Sequence, residues 1–277
     1  MDRKKFIFTL QLGFTLFVCA FLVVPVVLSI LAGLTVNYFV GLSSGLTLRW
    51  VFEVWNGYRD TIFLSVGIAL ACLLITLLLG VPTAYVLARS RNRLSRLFEE
   101  LLVLPIAMPG LATALALIAT YGTLGHFRTS WVFILIGHVL FTLPFMVRSV
   151  LAVLSAIDLK TLEEGAASLG AGFRHRFFDI VLPNCRNGIL AGSLMVVTLS
   201  MGEFNMTWLL HTPLTKTLPV GLADAYASLR LEIGSAYTLI FFFMIVPLLL
   251  AMQTMSRPRT TRFISDDTDD APNTETK

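Results

Sequence analysis

Glu203 is the residue whose type and setting most suggest chemistry. It stands in Ser200-Met-Gly202-Glu203-Phe204-Asn205-Met-Thr207, deep in an apolar stretch running from about Gly188 to Leu210. At about fifteen residues from the start of that stretch it lies roughly 22 Å along a helix. A carboxylate at such a depth in a membrane costs several kcal/mol unless it meets water or a polar partner, so it marks a pathway, an ion-coupling acid or a structural contact. His138, beside Thr142 in another apolar stretch, reads first as a hydrogen-bonding group between helices. An intramembrane enzyme would need polar groups converging from several stretches, and apart from these two the stretches are nearly bare of ionisable side chains. His126, His175 and His211 share no ligand spacing, so no metal site is expected. Cys19, Cys72 and Cys185 have no paired spacing and read as packing residues. No G-x-x-x-x-G-K-[ST] phosphate loop is present, so no nucleotide site of this chain's own is expected.

The second informative segment is polar and runs from Thr161 to Pro183, as Thr-Leu-Glu-Glu164-Gly-Ala166-Ala-Ser-Leu-Gly170-Ala-Gly-Phe173-Arg-His-Arg-Phe177-Phe-Asp-Ile180-Val-Leu182-Pro183. Thr161 and Glu164 have capping-box spacing, and Gly170 supplies a helix stop. A second short helix is expected from about Phe173 to Val181, with Phe173, Phe177 and Ile180 on one face and Pro183 ending it. Such an insert between apolar stretches needs a partner, because its own apolar residues have nothing to bury against.

Those elements sit in a chain that is 56% hydrophobic and 14% charged, with a mean hydropathy of +0.80. That composition excludes an ordinary soluble domain. Stretches long enough to cross a core of roughly 30 Å occur at about Leu10 to Ala32, Thr61 to Ala88, Leu101 to Tyr121, Trp131 to Val147, Gly188 to Leu210 and Ala236 to Met255. Six spans put both termini on one side. That side holds sixteen of the 21 basic residues, including Arg3, Arg89, Arg96, Arg148, Lys160, Arg174 and Arg257; Arg49, Arg59, Arg128, Lys216 and Arg230 lie opposite. By the positive-inside rule both termini and the polar segment are cytoplasmic. The net charge of +4 is thereby a topological signal, and no basic domain exists for nucleic acid. The N-terminal run is too long for a signal peptide and reads as an anchor. The tail over 257–277, with Asp266, Asp267, Asp269, Asp270 and Glu275, reads as disordered.

The polar segment resembles the EAA loop of permease subunits from binding-protein-dependent (type I) ATP-binding-cassette importers. Glu164, Ala166, Gly170, Ile180, Leu182 and Pro183 fall on the pattern E-A-A, three residues, G, nine residues, I-x-L-P, with Gly165 replacing one alanine. The Pro82 and Pro105 to Gly110 stretches resemble the same family. The resemblance implies an all-α membrane permease of six spans, one of them an extra N-terminal helix: a cytoplasmic N-terminus over 1–9, a transmembrane domain over 10–256 with its coupling loop at 158–183, and a cytoplasmic tail.

The implied partners are a cytoplasmic ATPase dimer that binds ATP, a second permease subunit and an extracytoplasmic solute-binding protein, in a bacterial inner membrane. Glu164 is then expected to pair with a basic group of the ATPase, Gly170 to allow the bend, and Phe173 or Phe177 to fill a pocket. Gly202, Glu203, Phe204 and Asn205 are the candidate pathway or gate, with substrate contact and a structural or gating role both open. The segment at Thr217 to Val220 resembles the branch serving polyamines, 2-aminoethylphosphonate, iron and oxyanions, and a small amino-bearing solute is expected. The alternative is a gradient-driven carrier using Glu203, which leaves the polar loop unexplained.

Overall fold

A computed structural model of the chain describes residues 3–90 and 92–256, and the tail expected to be disordered lies outside them. Helix α1 (Arg3–Ala32) is followed by a short 3-10 turn and α2 (Arg49–Arg89). Next come α3 (Arg93–Leu101), α4 (Leu104–Ala107), α5 (Gly110–Tyr121), α6 (Gly125–Arg128) and α7 (Trp131–Ala156). The polar segment holds α8 (Leu159–Ser168) and α9 (Phe173–His175). A π turn (Arg176–Val181) leads into α10 (Leu182–Gly202), and α11 (Asn205–Leu210), α12 (Leu218–Ala227) and α13 (Leu231–Ser256) complete the described chain.

Five helical segments are long and apolar enough to cross a membrane: 7–32, 49–89, 131–156, 173–202 and 231–254. The expected third span is not one straight helix. Pro109 pushes Met108 out of the helical region, to φ −86° and ψ 135°, because the proline ring crowds the residue before it. The chain there bends by 101° between 93–107 and 110–121, so the count reaches six only if this broken pair is one span. In α2, Tyr58 leaves helical geometry, which separates an outlying piece from the membrane-crossing length that begins where hydropathy places it, near Thr61.

The core is where α2, α7 and α10 pack together. Ile68, Cys72 and Ala84 of α2 meet Phe133, Met146 and Val150 of α7 and Cys185 and Val196 of α10, all buried. A second cluster joins α12 and α13 to α2 through Leu218, Tyr237 and Ile62. Helix α1 is apolar on all sides and almost wholly exposed, as expected of a span whose solvent is lipid. Gly188 and Gly192, four residues apart on one face of α10, make a contact inside the chain. A Cβ on Gly188 would lie 2.6 Å from the Ser149 carbonyl oxygen, and one on Gly192 would lie 2.8 Å from Met146 Sδ; both neighbours belong to α7. Small residues thus let α10 approach the α7 backbone closely.

Candidate functional site

Two places gather the polar groups singled out in the sequence. The first is the loop between α7 and α10. Helix α8 begins three residues earlier than the capping-box spacing suggests, because Asp158 is its N-cap: the Asp158 carboxylate accepts from the Thr161 N–H at 3.3 Å and from the Thr161 hydroxyl at 2.7 Å. An aspartate at this position satisfies an N–H that has no helical partner, so Thr161 is capped and does no capping itself. The helix ends as expected. Gly170, at φ +84°, allows its N–H to reach the Ala167 carbonyl and the Ala171 N–H to reach that of Ala166, the paired bonds of a Schellman stop.

Beyond Gly172 the structure corrects the expected second helix. It does not end at Pro183 but runs on as one helical segment over 173–202. Proline lacks the N–H and crowds the preceding turn of an α-helix; widening that turn to i→i+5 spacing over Arg176–Val181 makes room for it. Asn184 covers one of the carbonyls, donating from Nδ2 to Ile180 O at 2.8 Å. Ile180 and Leu182 are half-buried at this turn and Pro183 is exposed.

The loop's two faces are chemically distinct. Glu164 is exposed, 3.7 Å from Lys160 one turn away, and Leu169 and Phe173 are exposed as well. Phe177 is not free to fill a partner's pocket: its ring packs edge-on against Tyr85 at 5.4 Å and stacks on Phe173 at 6.0 Å. The inner face also carries a residue that sequence reasoning missed. Glu163 is only 3% exposed; it accepts from the Tyr85 hydroxyl at 2.6 Å and lies 3.8 Å from Arg89 Nε. Arg89 in turn donates to the Tyr85 oxygen at 2.9 Å. The available signal was Leu159 and Glu163, four residues apart and hence on one helix face.

The second place is the break in the expected fifth span, which ends at Gly202 and not at Leu210. Glu203 is the physical cause. Its carboxylate accepts from the Met206 N–H at 3.0 Å, the Thr207 N–H at 2.9 Å and the Thr207 hydroxyl at 2.9 Å, which satisfies the start of a new helix, α11. Arg128 closes the other end, donating to the Leu209 and Leu210 carbonyls at 3.1 and 2.7 Å. Cation at the C-terminus and carboxylate at the N-terminus match the helix dipole.

His138, fully buried, ties the break to α7: Nδ1 is 2.8 Å from the Ser200 hydroxyl and Nε2 is 2.8 Å from the Thr207 hydroxyl. Thr207 has one hydroxyl proton and gives it to Glu203, so His138 donates from Nε2 and accepts from Ser200 at Nδ1. The arrangement is a continuous Ser200, His138, Thr207, Glu203 relay of structural hydrogen bonds. Gly202 and Asn205 are exposed, and Gly202 and Phe204 open onto an apolar groove of about 410 Å³ shared with Leu218, Pro219, Leu222 and Phe241. Among the described residues no cluster of three or more His, Cys, Asp or Glu side chains could hold a metal ion.

Residues 80–262 match the model of the family described as binding-protein-dependent transport system inner membrane component, which is more than half of the chain. The protein belongs to that family. It is similar to the molybdenum transport system permease protein ModB of Mycobacterium bovis, 30% identical over 187 residues that cover 62% of this chain and 70% of the relative. It is also similar to the putrescine transport system permease protein PotI of Escherichia coli, 29% identical over 244 residues and 83% of each chain. The fold matches a solved bacterial ABC transporter involved in the import of the acidic polysaccharide alginate, with a TM-score of 0.71 over 94% of this chain and 97% of that one at 16% identity. The chain is thus a permease component of a binding-protein-dependent ABC importer in the inner membrane.

In this permease the loop and the break are joined by a common frame. Tyr85, which touches the loop, ends the same α2 whose Cys72 lies 3.1 Å from the Thr142 hydroxyl, one helical turn along α7 from His138. Importers of this kind draw on ATPase and binding-protein partners, so the chemistry of ATP is not asked of this chain.

Proposed function

We propose that this permease couples solute passage to ATP hydrolysis through the loop over 158–183, which docks in the cytoplasm on an ATPase dimer, and that it forms the pathway together with a second permease subunit, identical or homologous. The observation that carries this reading is the two-faced loop. Glu164 and Leu169 face outward beside the turn that Gly170 closes, while Glu163, Phe173 and Phe177 lie on the side packed against Tyr85 of α2. An outward charged and apolar surface on a braced helix is suited to a partner's groove. The distribution of basic residues, sixteen on the loop's side, supports a cytoplasmic position for it and for both termini.

Closure of the ATPase dimer would then draw the docking helices together and rock the spans so that the pathway opens to the other side. Gly202, Phe204 and Asn205, at the break and beside the apolar groove, are the pathway segment, and Glu203 holds that segment in shape. Three donors of its own chain already engage Glu203, which argues against a gradient-driven carrier that uses it as a coupling acid. The solute is small and amino-bearing, a reading supported by the alignment with the putrescine permease over 83% of both chains.

The test is purification from native membranes in mild detergent with a Glu164→Lys variant beside the parent. The expected result is an ATPase bound to the parent and absent from a variant that still inserts; a full complex in both refutes docking through Glu164. Uptake into vesicles should follow ATP and persist when ion gradients are collapsed, with putrescine and molybdate as the two solutes compared.

A further inference from the structure

We propose that Glu163, Tyr85 and Arg89 form the latch through which movement of the docking helix α8 reaches the spans, so that Glu163 and Tyr85 are positioning residues for coupling and not for docking. This rests on the function proposed above and adds the path that the motion takes inside the subunit.

The covalent links cannot carry that motion well. At its start α8 is joined to α7 through Ile157 and Asp158, both outside helical geometry, at ψ 155° and ψ 71°. At its end the chain turns through Gly170 at φ +84° before the next helix starts at Phe173. A push on α8 would flex these joints, because neither continues a helix across the connection. Load must therefore pass through side chains, and α8 has only two that are buried, Leu159 and Glu163.

Of those two, Glu163 has directional bonds. Tyr85 has one hydroxyl proton, donates it to Glu163 Oε1 at 2.6 Å, and accepts from Arg89 Nη1 at 2.9 Å. Arg89 Nε closes the ring at 3.8 Å from Glu163 Oε2. Charged partners make such bonds stronger than neutral ones; the Tyr85 and Glu163 ends are buried, while the Arg89 side chain reaches the surface. The Tyr85 ring also meets Phe173 and Phe177 at 6.2 and 5.4 Å, so one side chain of α2 touches both arms of the loop. Helix α2 is the longest element, with 41 residues, and it packs in the core against α7 and α10. A displacement of α8 thus moves α2, and α2 moves the core. Glu163 and Tyr85 are buried and lie off the outward face that carries Glu164 and Leu169.

The experiment uses the whole importer, purified with its ATPase and reconstituted with its binding protein, and measures ATPase content, ATP hydrolysis and solute taken up per ATP. The variants are Tyr85→Phe, which keeps the ring and removes only the hydroxyl, Glu163→Ala, their double, and Glu163→Gln. The latch predicts that Tyr85→Phe and Glu163→Ala retain the ATPase and its hydrolysis but take up at least tenfold less solute per ATP. The double variant should be no worse than the more severe single one, because the two remove one bond, and Glu163→Gln, which keeps an acceptor for Tyr85, should recover most of the yield. Unchanged uptake per ATP in Tyr85→Phe overturns the proposal, and so does loss of the ATPase from that variant, since the contact would then be a docking brace. A parent chain that carries no ATPase would overturn both the docking function and the latch, and that outcome is visible before any variant is compared.

Discussion

Replacing Gly188 by alanine tests the packing of the two central helices with a size that can be worked from the structure. The added Cβ would lie 2.6 Å from the Ser149 carbonyl oxygen and 3.0 Å from Val150 Cα, both backbone atoms of α7 that cannot rotate away. Restoring ordinary contact requires α10 to retreat by roughly 0.6–0.9 Å, and overpacking of this kind costs about 3 kcal/mol. Gly192→Ala meets Met146 Sδ at 2.8 Å, on a flexible side chain, and the backbone only at Met146 Cα, 3.2 Å away, so its packing cost is smaller, about 1 kcal/mol. Gly165→Ala, with nothing within 4 Å, has no packing cost. All three gain about 1 kcal/mol from replacing glycine in a helix, so the differences isolate the packing. The expected order is a net loss of about 2 kcal/mol for Gly188→Ala, near neutrality for Gly192→Ala and a gain of up to about 1 kcal/mol for Gly165→Ala. Denaturation of the purified permease in mixed micelles measures it, and 2 kcal/mol is about a thirtyfold change in the folded-to-unfolded ratio. A Gly188→Ala protein as stable as the parent, or one more stable than Gly192→Ala, would refute the close approach of α10 to the α7 backbone.

Two further outcomes follow from the loop and the break. Glu203→Ala leaves two N–H groups and the Thr207 hydroxyl without their acceptor and should cost about 2 kcal/mol, while Glu203→Gln, which keeps one carbonyl oxygen, should cost about half as much; unchanged stability with abolished transport would show instead that the carboxylate serves the solute. Gly170→Ala places a side chain at φ +84°, at a cost of roughly 1–2 kcal/mol, and should speed amide exchange across 159–172 without lowering the melting temperature of the spans; protection equal to the parent's would count against the left-handed stop.

Hydropathy and spacing alone were enough to read the membrane class, most span positions, the helix stop at Gly170 and the family resemblance of the polar loop, because each depends on residues close together in the chain. Apolar length sets whether a helix can cross a bilayer, and a glycine with no Cβ is the residue that a left-handed turn favours. What needed the tertiary structure was every feature decided by a partner far away in sequence. Glu163 looks like the more dispensable of two neighbouring glutamates until Tyr85, 78 residues earlier, turns it inward and leaves Glu164 outside. The apolar run from Gly188 to Leu210 reads as one span because hydropathy does not register backbone direction. It breaks at Glu203 because that carboxylate can cap a new helix, with His138 and Arg128 from other elements holding the capped piece in place. Pro183 suggests a stop, and the chain instead widens the turn before it, since the half-buried residues around it gain more from continuing into α10 than a helix end would offer.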